Sequence, residues 1–438
     1  MPLYAFGSNG SGQLGIGHVE DTSIPMRCLF EELAEGENNS GCENDIIQIA
    51  TGGNHTLLRF RNGEVYAAGF NGDGRCGGTI MGNANADADQ LILQFRKVFI
   101  VEEIDMGTDT DATEGNKKKG KEKRVWDRFA LVSATWEGSF LVSSSSTTIF
   151  AFGSGSKGEL GLGPSIQSCR SAVRVPDFPP PSSSESEGRT ATTTTATASI
   201  IAIASSMSHT VVVLDNGDVY GWGTSRKGQL GMSLAERKVV WSPTKIGEIP
   251  PFFRASDVTC GREFTVVCGD KGKGEFVILG AGGNRWGVLS GVPLPVSPAV
   301  QGTETGTKQV IKIFHFPQSY ISILASWNGV YAHLADNRVV AWGRDDRGQL
   351  PPGELRGGAS LKKIAAGSEH GLALLGGDDD ERAVVAFGWG EHGNCGTETD
   401  ERGNVRGRYN VVDIPFQGEK ERVIGIAGGC ATSWIITS

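Results

Sequence analysis

Tyr4-Ala-Phe-Gly7, followed at once by Ser8-Asn-Gly-Ser-Gly12-Gln-Leu-Gly15, is the stretch on which the fold turns. The phrase returns at Tyr66-Ala-Ala-Gly69 with Gly74-Arg-Cys-Gly77, at Phe150 to Gly161 and at Tyr220 to Gly231, and in worn form before Gly280, Gly343 and Gly388. Anchored on these seven glycines, the residue three places earlier is Tyr, Tyr, Phe, Tyr, Val, Val, Val, and the residue one place earlier is Phe, Ala, Phe, Trp, Leu, Trp, Phe. Two such positions share one face of a strand, and the residue between them, mostly alanine, keeps the other face small. A short strand running into a glycine-rich turn thus recurs seven times, which marks a repeat architecture.

A second phrase alternates with the first: Ile49-Ala-Thr-Gly52-Gly-Asn-His55-Thr, Ile203 to Thr210, Val258 to Thr265 and Ile364 to Gly371, with degenerate versions near Trp136 and Trp327. The chain opens on a first phrase with no second phrase before it. It closes on Ile426-Ala-Gly428-Gly-Cys430-Ala-Thr, a second phrase with no first phrase after it. Half a unit at each end predicts that the terminal strands pair and close a ring, removing the open edges of a sheet array. The expected fold is all-β, a seven-bladed β-propeller over 1–438 as a single domain. The anchors lie 45 to 84 residues apart, and the excess falls in insertions. Residues 79–124, ending in a lysine tract from Lys117 to Arg124, and residues 176–199, rich in Pro, Ser and Thr, are expected to be flexible loops. The acidic stretch 31–45 and Asp378 to Glu381 are also expected to lie outside the core.

The composition fits a turn-dense array. Glycine supplies 63 of 438 residues against 17 prolines, without a collagen period. Lys and Arg number 41 against 50 Asp and Glu, a net charge of −9, which disfavours a whole-surface attraction to nucleic acid or anionic lipid. No run is long and apolar enough for a membrane helix, and the amino terminus lacks the pattern of a signal peptide. The eight cysteines contain no C-x-x-C pair. The expectation is an intracellular protein with reduced thiols, cytoplasmic, with the nucleus as a second location.

Signatures of chemistry were sought and mostly fail. Gly10 to Gly15 and Gly153 to Gly158 satisfy G-x-G-x-x-G, but no amphipathic helix follows and the spacing recurs in most units, so turn glycines explain it better than a dinucleotide. Gln13 stands where a phosphate-binding loop needs lysine. The seven histidines form no H-E-x-x-H and no Cys/His cluster, and no G-x-S-x-G elbow occurs. His55, His209 and His370 share one repeat position, where an imidazole that joins neighbouring blades is expected. No catalytic residue, metal site or cofactor is therefore assigned, and the chain is read as a non-enzyme that recognises a partner through loops on a rigid ring. After the anchor glycine most units carry a small or polar residue, but two carry aromatics, Phe70 and Trp389. Trp389 with Glu391, His392 and Asn394, extended by Glu369 and His370, is the candidate partner-binding patch, with Phe70 as a second aromatic. Trp434, in the closing strand, is expected in the core.

The paired phrases resemble the repeat of the regulator of chromosome condensation family, and the resemblance covers nearly the whole chain outside the insertions. Gly388-Trp-Gly-Glu-His-Gly-Asn-Cys-Gly396, with Gly367 to Gly371 and Gly428 to Ile435, further resembles a fungal branch of that family, the alpha-tubulin suppressors, also called the killer toxin insensitivity group. The resemblance implies a propeller without catalytic activity of its own. It implies a heterodimer with the small zinc-binding protein of diphthamide synthesis. Through that partner the chain would support Elongator-dependent modification of wobble uridines in tRNA and diphthamide formation on elongation factor two. Direct tRNA contact and membrane contact are not expected. The alternative from the same family is guanine nucleotide exchange on a small nuclear GTPase. The net charge and the propeller's start at residue 3, without a basic arm before it, count against this.

Overall fold

The computed structural model describes residues 2–31, 46–77, 90–105, 121–181, 198–280, 285–293, 311–357, 360–376, 382–416 and 421–438. Within them, seven antiparallel sheets form the blades of a β-propeller. Blades 2 to 7 occupy 46–97, 129–174, 200–245, 257–315, 320–343 and 361–411, each ordered along the sheet as along the chain. Six sheets have four strands and blade 6 has three among the described residues.

Blade 1 is the closure that the half-units predict. Val423–Gly428 and Thr432–Thr437 from the carboxyl end pair with Leu3–Gly7 and Thr22–Arg27 from the amino end. The central ladder runs antiparallel from Leu3 opposite Ile436 to Gly7 opposite Thr432. Trp434 on that seam is fully buried, its ring 6.2 Å from that of Phe95 in blade 2, as expected of a core residue.

The hydrophobic core lies between blades, because each sheet buries both faces against its neighbours. The Tyr4 and Phe6 side of the first strand packs with Leu372, Ala386 and Ile435, while Leu3 and Ala5 on the opposite side pack with Tyr66 and Trp434. The anchor glycine lies at or next to the end of the third strand, and in blades 1, 2, 3, 4 and 7 the ladder to the fourth strand shifts register beside it. Gly343 has φ +119°, and a Cβ there would overlap the carbonyl oxygen of Asn328, which accepts the next N–H, that of Arg344, at 2.9 Å. Only glycine fits both the angle and the space.

The loop that follows is pinned by the glutamine of Gly-Gln-Leu-Gly, or of Gly-Gln-Leu-Pro in blade 6. Gln13, Gln229 and Gln349 each accept the backbone N–H two residues earlier at 2.9 Å, while Leu14 and Leu230 enter the core. Gly12 and Gly15 carry positive φ in this turn, so the G-x-G-x-x-G spacing is turn chemistry. The only α-helices among the described residues are the four-residue Met232–Ala235 and Gly353–Arg356; neither is long enough to cross a membrane.

Two insertions differ from expectation. Part of 79–124 is not loop: Leu91–Lys97 is the outer strand of blade 2, and Ile100–Asp105 pairs with Lys121–Trp126 in a separate hairpin. Ile92 and Phe95 are buried on either side of a register shift in the ladder to the third strand, and the lysine tract places Lys123 opposite Glu103 and Arg124 opposite Glu102. Opposite charges across a ladder favour strand pairing. Lys117 to Lys119 and residues 78–89 lie outside the described residues. Of 176–199, residues 182–197 also lie outside them, but Phe178 and Ala198 pack into the core of blade 4, Phe178 edge-on to Tyr220 at 5.1 Å. Glu31, which opens the acidic stretch, pairs with Arg96 at 2.7 Å; residues 32–45 and 377–381 lie outside the described residues. All seven described cysteines are free thiols.

Candidate functional site

In a blade of four antiparallel strands, the loop between strands one and two and the loop between strands three and four emerge on the same side of the ring. Both kinds of loop carry the candidate residues, so the site is one face of the propeller.

At its centre the inner strands leave a channel of about 280 Å³. Its lining includes equivalent residues of successive blades, among them Trp136, Met207, Trp327, Ser368 and Gly429, and Arg262 holds the matching position in blade 5. Backbone bonds run around this ring, from Gly53 N–H to the Trp136 carbonyl, Trp136 N–H to the Met207 carbonyl, and Arg262 N–H to the Trp327 carbonyl. The rings of Trp136 and Trp327 meet across the mouth at 6.0 Å, with the Arg262 guanidinium 5.8 Å from Trp327.

Trp389 is half-buried at the end of the third strand of blade 7, where the outer loop begins. Its indole N–H donates to Glu391 Oε2 at 3.0 Å, and its ring stands edge-on to His392 at 5.3 Å. His392 Nδ1 lies 2.7 Å from Asp21 Oδ2, which ties blade 7 to blade 1. The Arg347 guanidinium lies 5.3 Å from the Trp389 ring centroid and 3.6 Å from Glu369. Arg344 also pairs with Glu369 and, at 2.6 Å, with Asp346, and lies 4.7 Å from the ring of Trp286, which Arg285 approaches at 4.8 Å. An alternation of guanidinium, indole and carboxylate thus runs across four blades, from Arg285 to Asp21. Hydrogen bonding to Asp346 and the charge of Glu369 hold the Arg344 pKa above its ordinary value, and Arg344 in turn lowers that of Asp346.

The structure brings together Trp389, Glu391, His392 and, through Arg347, Glu369. Glu369 is only 7% exposed, so it braces the patch from below. Asn394 and His370 do not belong to the exposed patch, contrary to expectation. Asn394 is fully buried and donates from Nδ2 to the Trp389 carbonyl at 2.8 Å, framing the loop. His370 is fully buried between blades, where its Nε2 meets Ser433 Oγ at 2.9 Å. His55 meets Ser139 at 2.8 Å and His209 meets Thr265 at 3.0 Å in the same way, as the shared repeat position suggested. Burial lowers these histidine pKa values to about 3 for His55 and His209 and to about 4 for His370. Phe70 lies on the same face but in blade 2, under the Arg75 guanidinium at 4.8 Å, apart from Trp389.

Sequence reasoning missed Trp286, Arg344 and Arg347 as partners of the patch. The available signal was a run of arginines placed shortly after two anchor glycines, in Asn284-Arg-Trp286 and Arg344-Asp-Asp-Arg347. Among the described residues, no group of three or more His, Cys, Asp or Glu is placed to hold a metal.

A ring of seven antiparallel blades closed by its own termini, with arginine and tryptophan loops on one face, defines the class as closed seven-bladed β-propellers. The RCC1-like domain matches residues 2–435, and the chain belongs to that family. It is 26% identical over 434 residues to the RCC1 repeat-containing protein C10F6.04 of Schizosaccharomyces pombe, covering 99% of this chain and 98% of that protein. It is 22% identical over 471 residues to the secretion-regulating guanine nucleotide exchange factor of Mus musculus, covering 98% of this chain and 82% of the relative. Among solved structures, human WBSCR16 superposes with a TM-score of 0.66 at 18% identity, over 99% of this chain and 98% of its own, which speaks for the fold.

Proposed function

We propose that this chain is a non-enzymatic adaptor that uses the Trp389 face to bind the small zinc-binding protein of diphthamide synthesis. As a heterodimer with that protein it would support Elongator-dependent wobble uridine modification and diphthamide formation, in the cytoplasm and secondarily in the nucleus. The observation that carries this reading is the last-blade phrase from Gly388 to Gly396, whose resemblance to the alpha-tubulin suppressors falls on the loop that presents Trp389, Glu391 and His392. A half-buried indole ringed by ion pairs is the kind of anchor that dominates interface energy. Titration of the purified chain with the purified zinc protein by calorimetry should give a one-to-one complex with Kd below micromolar. Absence of heat at micromolar concentrations sinks the proposal.

The second reading, guanine nucleotide exchange on a small nuclear GTPase, draws support from the mouse relative, which is named as an exchange factor. Release of labelled GDP from the GTPase, accelerated by catalytic amounts of this chain, would favour it over the adaptor reading.

A further inference from the structure

The recognition face is electrically polarised. Its basic sector lies on blades 4 and 5, with exposed Arg226, Lys227, Arg237, Lys238, Arg262 and Arg285 against Glu236 and Glu263. Its acidic sector lies on blades 7 and 1, with exposed Glu20, Asp21, Glu391, Glu398, Asp400 and Glu401 against Arg402, Arg406 and Arg408, the last of which pairs with Glu398. On a chain of net charge −9, the basic sector is the exception.

In that sector, between the loops of blades 5 and 6, lies a cleft of about 430 Å³. Trp286 forms one wall and Val288, Leu289 and Phe264 supply apolar surface. Arg344 is already matched by Asp346 and Glu369. Lys227, Arg262 and Arg285, which also line the cleft, have no carboxylate partner among the described residues.

We infer that this cleft is a binding site for an acidic peptide segment, with side-chain carboxylates held by Lys227, Arg262 and Arg285 and an apolar side chain laid against Trp286. Arginine forks match carboxylates in plane, and a guanidinium stacked on an indole is pre-positioned to do so. The mixed walls favour a peptide over inorganic phosphate: Glu263 and Asp346 would repel a dianion, whereas a peptide also offers amide donors to them. The site adjoins the Trp389 patch and shares Trp286, Arg344 and Asp346 with its network, but Lys227, Arg262 and Arg285 lie away from Trp389, and the test below does not depend on the identity of the partner proposed above.

The probes are two capped hexapeptides, one of four glutamates with one phenylalanine and one leucine, the other with glutamine replacing every glutamate. Calorimetry at low salt with the full chain should show the glutamate peptide binding at least tenfold more tightly than the glutamine peptide. Treatment with a water-soluble carbodiimide should join a peptide carboxyl to Lys227 by an amide bond with loss of water, located by mass spectrometry. The double variant Arg262→Glu and Arg285→Glu, its thermal midpoint unchanged, should lose at least tenfold in affinity for the glutamate peptide and gain affinity for a lysine counterpart. Equal binding of the two probes, no link at Lys227, or displacement of the peptide by millimolar phosphate would each overturn the inference.

Discussion

His370 Nε2 stands 2.9 Å from Ser433 Oγ, across the seam between blade 7 and the blade built from both chain ends. The serine proton is committed, because Oγ donates to the Asn394 carbonyl at 2.7 Å. The imidazole must therefore donate from Nε2, which fixes its neutral tautomer. Ser139 and Thr265 repeat the arrangement, donating to Arg75 and Gln229 carbonyls while facing His55 and His209. Each relay fastens a blade to its neighbour and to the turn of its own outer loop.

Removing one hydroxyl breaks both links. Ser433→Ala leaves the His370 N–H and the Asn394 carbonyl buried without this partner, at a cost of about 1–3 kcal/mol. Ser433→Thr keeps the hydroxyl, as Thr265 does in blade 5, and should recover most of the loss. Urea unfolding of the three proteins tests this; equal midpoints for the alanine and threonine variants would contradict the relay.

Acid should loosen the ring through the same residues. The folded pKa values of His55, His209 and His370 lie near 3, 3 and 4, against about 6.5 in an unfolded chain. The folded state therefore binds fewer protons, and stability is full above pH 6.5 and declines as pH falls towards 4. Each histidine contributes a slope of about 1.4 kcal/mol per pH unit within that window. Denaturant titrations at pH 7 and pH 5 should show the loss, and His209→Gln should shrink it by roughly a third of the histidine share. A pH dependence unchanged by that substitution would exclude this origin.

The ring itself was legible because its devices repeat: an anchor glycine, an alternation of large and small residues, and complementary half-units at the termini. The relays were half legible. The recurrent histidine stood out, but its partner lies one residue past the equivalent position in the next blade, as Ser139, Thr265 and Ser433, and only the packing of blades brings the two together. The Trp389 patch was found through a break in symmetry, whereas its braces Arg344 and Arg347 come from the loop of another blade, and sequence proximity says nothing of that contact. Asn394 and His370 were misplaced for the converse reason: adjacency in the last-blade phrases hid the fact that both point inward. The strands within 91–126 were masked by the charged composition around them, although the apolar run Leu91-Ile-Leu before Phe95 was readable.

Closure by the chain ends makes Trp434 a structural test. Its side chain is fully buried against Phe95 and the blade 1–2 core, so Trp434→Ala should cost about 3–5 kcal/mol. The loss should appear in global unfolding, because an opened seam exposes two sheet edges. A variant whose chemical denaturation midpoint matches the parent would mean that the seam is not needed to hold the ring shut.

Trp389→Ala makes the opposite demand. The indole is half-buried and touches Arg347, Glu391 and His392, all on the outer face. Its removal takes little from the core, and stability should change by no more than about 1 kcal/mol, as for surface positions away from the core. Binding depends on it differently. An aromatic anchor held in place by a guanidinium and an imidazole loses little freedom on docking, and truncating such an anchor costs about 2 kcal/mol or more, roughly thirtyfold in Kd. Calorimetry with the zinc protein should show that loss beside an unaltered thermal midpoint. Because Arg347 also braces Glu369, Arg347→Ala should weaken binding in the same direction but by less. Unchanged affinity of Trp389→Ala would move the docking surface elsewhere on the ring, whereas a collapse of thermal stability would make the indole a packing residue.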